Sequence, residues 1–82
     1  MAAYMDGYRD GSRLARLENA EDVYEAQCDE LERQMSSLAA KIQRRHPSQC
    51  KKEMREYIVK SQYFAGFCEG FTRARRGDSA RD

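Results

Sequence analysis

Tyr63-Phe64-Ala65-Gly66-Phe67-Cys68-Glu69-Gly70-Phe71-Thr72-Arg73-Ala74-Arg75 sets two glycines four residues apart among aromatics. The same order stands without gaps near the other end of the chain, in Tyr4-Met5-Asp6-Gly7-Tyr8-Arg9-Asp10-Gly11-Ser12-Arg13-Leu14-Ala15-Arg16. On a helix, positions four apart share a face. Ala3, Gly7, Gly11 and Ala15 therefore form one ridge of small residues, and Gly66, Gly70 and Ala74 form another.

Each glycine costs about 1 kcal/mol relative to alanine inside a helix. Four of them need a compensating cause. A small-xxx-small ridge supplies one, because it lets two helix backbones touch through tight packing and Cα–H···O contacts. Tyr4, Tyr8, Tyr63, Phe64, Phe67 and Phe71 would flank such a crossing as larger walls.

Between the two ridges the spacing is helical. Leu14, Leu17, Glu21, Tyr24, Cys28, Leu31, Met35, Leu38 and Ile42 step by three and four, and only Glu21 breaks the apolar stripe. That is the seam of a coiled coil or a long bundle helix. A second stripe runs through Cys50, Met54, Tyr57, Ser61, Phe64, Cys68 and Phe71, widened by Ile58 and Ala65. The segment Arg44-Arg45-His46-Pro47-Ser48-Gln49 separates them, and its proline ends one helix and opens the next. So short a connection makes the two helices antiparallel, with paired residue numbers summing to about 93.

These features predict one all-α domain over residues 1–76, with helices at about 3–17, 20–45 and 48–76 and a flexible tail at 77–82. Gly77 reads as the residue just past the last helix. The first segment has two readings. Leu14 and Leu17 continue the central stripe, which suggests one unbroken rod. Asn19-Ala20-Glu21-Asp22 resembles a helix start, with Asn19 as cap, which suggests a break near 17–20. A long antiparallel hairpin is thus completed by a Gly-rich N-terminal helix. That helix either folds back into a three-helix bundle or meets the ridge of a second protomer in a symmetric dimer. The thin core of so small a chain favours the dimer.

Composition narrows function. The 82 residues include 15 Lys and Arg and 14 Asp and Glu, for a net charge of +1. The mean hydropathy is −0.97, yet balanced charge, a single proline and abundant helix formers argue for long solvated helices rather than disorder. No run of about 18 apolar residues spans a membrane, and no secretory signal opens the sequence. Cys28, Cys50 and Cys68 are odd in number and form no metal-binding spacing, which fits a reducing cytoplasm.

Catalysis finds no foothold, and no cofactor, metal or small-molecule substrate is expected. His46 lies beside a proline, the glycines have helical spacing, and the acid clusters lack the loop of a calcium site.

Charge is sorted along the chain. Residues 18–32 hold seven acids and no base, and residues 33–60 hold eight bases and two acids. Lys41, Arg44, Arg45, Lys51, Lys52 and Arg55 surround the hairpin turn, an arrangement able to face an anion or an acidic protein surface. The expected function is a non-catalytic helical interaction module that binds, caps or inhibits another macromolecule, as a homo-oligomer. Such chains occur among phage and mobile-element accessory proteins and secretion chaperones. The alternative is a nucleic-acid- or ribosome-associated factor that uses the basic tip.

Overall fold

A computed structural model describes residues 3–81. The chain is all-α, with α1 at Ala3–Leu14, α2 at Ala20–Arg44 and α3 at Lys51–Arg81. A short 3-10 turn at Pro47–Gln49 joins α2 to α3. Acids lead α2 (Glu21, Asp22) and bases close it (Lys41, Arg44), as the helix dipole favours.

The break near residues 17–20 is present, and the unbroken rod is not. After Leu14 the chain tightens through Arg16 N–H to Arg13 O (3.2 Å) and Leu17 N–H to Leu14 O (3.0 Å). Asn19 occupies the cap position of α2, but its side chain makes no capping bond. Leu14 turns into the core while Leu17 is left 51% exposed, so these two leucines do not extend the α2 stripe.

The hairpin register agrees with the sequence reading. Tyr24 stacks on Phe67 and Phe71, Lys60 Nζ donates to Gln34 Oε1 at 2.8 Å, and Arg75 meets Glu21 at 2.9 Å. At the turn, Cys50 is fully buried, its Sγ 3.8 Å from the Ile42 carbonyl. The first helix folds back and lies parallel to the second half of α3. A bundle of three helices at one end thus gives way to two at the tip.

Three expectations change. The α3 helix continues through Gly77 to Arg81, and Gly77 lacks the positive φ of a C′ glycine. Of the expected tail at 77–82, Asp82 lies outside the described residues. The second apolar stripe is also displaced. Phe71 and Cys50 are buried, but Met54 and Ile58 are 41% and 53% exposed. The buried face of α3 includes Gly66 and Gly70, so a stripe traced through large side chains alone falls to one side of it.

The molecule extends 53 × 25 × 13 Å with a radius of gyration of 15.0 Å. A compact chain of this length would have about 12 Å. The core is correspondingly thin. Leu14, Ala20, Phe67 and Phe71 form its centre, with Val23, Tyr24, Cys28 and Leu31 of α2 packed around them.

Candidate functional site: the glycine seam and the hairpin tip

The two glycine ridges meet within one chain. A Cβ added to Gly7 would lie 2.0 Å from the Tyr63 carbonyl oxygen, and one added to Gly66 would lie 2.0 Å from that of Tyr4. At Gly11 the obstacle is the Phe67 carbonyl at 2.1 Å, and at Gly70 it is the Tyr8 carbonyl at 2.1 Å. No side chain fits at such distances. The hydrogen that replaces each Cβ points at a carbonyl oxygen, the arrangement of a Cα–H···O contact.

These contacts are reciprocal under the sequence offset of 59. Gly7 faces Tyr63, and its counterpart Gly66 faces Tyr4, the counterpart of Tyr63. The repeat in the sequence is therefore a pseudo-two-fold axis between α1 and α3. The expectation that the ridges join two protomers is corrected here, since each is already occupied by the other. The connection of residues 15–19 is long enough to fold α1 back onto α3.

Side chains break the symmetry because α2 packs on one side only. Phe67 and Phe71 are buried under Tyr24, with ring centroids 5.5 and 4.0 Å from it. Their counterparts Tyr8 and Ser12 lack that cover. Ser12 Oγ instead donates to the Gly70 carbonyl at 3.3 Å, and the Tyr63 hydroxyl donates to Asp10. Burial and the neighbouring Asp10 carboxylate push the Tyr63 hydroxyl up to about 12. Of the other seam residues, Tyr4 is 41% exposed, whereas Ala15 packs against the core. Ala3 and Ala74 are half-buried.

The structure also adjoins residues that the sequence leaves far apart. Cys28 and Cys68 flank the Tyr24 hydroxyl, and burial pushes the Cys28 thiol up to about 11. Burial thus favours the protonated thiol, and Cys28 packs against the core.

At the tip, Lys41, Arg44, Arg45, Lys51, Lys52 and Arg55 are all exposed. Arg45 pairs with Glu53 at 3.4 Å, and the turn is closed by Ser48 N–H donating to His46 Nδ1 at 3.2 Å. The acidic block at residues 18–32 reaches α3 through Glu21, which pairs with Arg75. Glu30 of that block pairs instead with Arg33 on its own helix. The rod is thus polarised: residues 33–60 carry a net +6 and the rest of the chain −5.

Sequence reasoning missed the continuation of the α1-facing stripe towards the tip. Stepping back from Gly70 by four and three gives Gly66, Tyr63, Val59, Glu56 and Lys52. Among the described residues, α1 lies beside Gly70, Gly66 and Tyr63 of this series. Val59 is left 52% exposed. The signal was present in the spacing, but Val59 stands alone among charges and does not register as part of a stripe.

No helix among the described residues is long and apolar enough to cross a membrane. Compared with protein-family models, curated proteins and solved structures, the chain has no match.

Proposed function

We propose that this chain is a non-catalytic interaction module that binds another macromolecule through the tip half of its hairpin. The reading is supported chiefly by the exposed surface of the tip half. One half of the rod is a closed bundle, while the other leaves Met54, Ile58 and Val59 exposed beside Lys51, Lys52 and Arg55. Apolar side chains set among like charges, on the half with the thinnest core, form a surface suited to recognition. Self-association is not required for the glycines, so a partner of another kind is the simpler occupant.

Capture from nuclease-treated extract of the source cell tests this. Wild-type chain should retain a defined partner that the triple charge reversal Arg44→Glu, Arg45→Glu, Lys52→Glu releases. Equal retention by both would remove the tip from the account. Loss of the partner on nuclease treatment alone would favour the nucleic-acid alternative, for which the exposed arginines and lysines of the tip are the supporting observation.

A further inference from the structure

We infer that Cys28 and Cys68 form a modification site: a reversible disulfide that ties α2 to α3, made by exchange with a low-molecular-weight disulfide.

The helix register brings the two cysteines together. Tyr24 stacks on Phe71 at 4.0 Å and on Phe67 at 5.5 Å, which fixes α2 against α3 at this level. Cys28 lies about one helical turn beyond Tyr24, and Cys68 stands between the two phenylalanines in sequence. Cys28 packs against the core of Leu14, Ala20, Phe67 and Phe71. Both thiols reach the Tyr24 hydroxyl and each other.

Access singles out the same pair. Cys28 and Cys68 are free and half-buried, whereas Cys50 is fully buried. A small reagent can therefore reach the first two. Cys50 is also out of range. It sits beside Ile42 at the turn, about 20 Å along α2 from Cys28 at about 1.5 Å per residue.

The exchange has two steps. One cysteine, as its thiolate, attacks a sulfur of the small disulfide. That S–S bond breaks, and the first small thiol leaves with the proton. The second cysteine then attacks the protein sulfur of the mixed disulfide and expels the second small thiol, which takes the second proton. Two electrons pass from the protein thiols to the small disulfide, and no atom is left over. Burial holds Cys28 towards the protonated thiol, so mildly alkaline solution speeds the exchange. The new bond closes a loop from residue 28 to residue 68 around the hairpin turn and so restricts the unfolded chain.

The test takes the full chain, reduced and then incubated with oxidised glutathione at mildly alkaline pH. Intact mass should show the loss of two hydrogens and no retained glutathione. Tryptic peptides 17–33 and 61–73 should be joined, and peptide 46–51, which carries Cys50, should be free of cross-links. The thermal midpoint should rise by roughly 10 °C or more, and dithiothreitol should reverse the rise. Cys28→Ser and Cys68→Ser should each hold one glutathione on the remaining half-buried thiol and show no such rise. Glutathione retained on both cysteines of the wild-type chain would overturn the proposal. So would a cross-link to Cys50, a cross-link between chains, or an oxidised chain that melts below the reduced one. Should a serine variant fail to fold, the wild-type peptide map and midpoint decide the matter alone.

Discussion

At Gly66 an added Cβ would meet a backbone oxygen, and a helix backbone cannot swing aside as a side chain can. Gly66→Ala and Gly70→Ala should therefore each destabilise the fold by about 3 kcal/mol, despite alanine's better helix propensity. Thermal unfolding should show a fall of roughly 10–20 °C. Gly77 is the internal control, since nothing lies within 4 Å of its Cβ position. Gly77→Ala should be neutral or stabilise by up to about 1 kcal/mol. Equal effects at Gly70 and Gly77 would mean that the seam does not exist.

The Tyr63 hydroxyl makes a second residue-scale prediction. Its folded pKa of about 12 lies above its ordinary value of 10.0. The unfolded chain therefore loses this proton first, and the stability that the group contributes is complete below pH 10. It should fade as pH rises from about 10 to 12. Denaturant titrations across that window should show the loss, and Tyr63→Phe should make it shallower, leaving the share of Tyr24 and Cys28, whose hydroxyl and thiol burial also raises.

Among the elements, the hairpin was legible in the sequence and the placement of α1 was not. The 3-4 spacing of α2 and the proline at its end are local features, so register followed directly. The course of residues 15–19 was ambiguous because Leu14 and Leu17 fall in phase with α2 although they belong to different elements. The glycine ridges were legible as a pair. Whether they met within one chain depended on a backbone reversal that no residue type encodes by itself.

At this scale α1 is a structural requirement of α3. Without residues 1–18, the faces of Gly66, Phe67, Gly70 and Phe71 would stand open. The truncated chain should lose its cooperative thermal transition while keeping partial helicity by circular dichroism. A sharp transition at the original temperature would show the hairpin to be self-sufficient. Phe71→Ala should cost about 3–5 kcal/mol, because Phe71 carries the stacking with Tyr24 that joins α2 to the seam.

Over the whole molecule, the near-zero net charge conceals a polarised rod, and its two ends have different work. The −5 end holds the glycine seam and the aromatic stack. The +6 end is built from α2 and α3, and the proposed binding surface lies there. Basic residues at the tip were visible from composition. The exposure of Met54, Ile58 and Val59 was not, because it follows from which face of α3 turns inward.

The seam within one chain can be observed by isotope-filtered NMR on an equal mixture of carbon-13-labelled and unlabelled protein. Nuclear Overhauser effects between the α-protons of Gly70 and Tyr8 should appear within labelled chains and be absent from the spectrum selecting labelled-to-unlabelled contacts. The same cross-peaks in the intermolecular spectrum would contradict the fold-back of α1 and assign the ridges to a dimer.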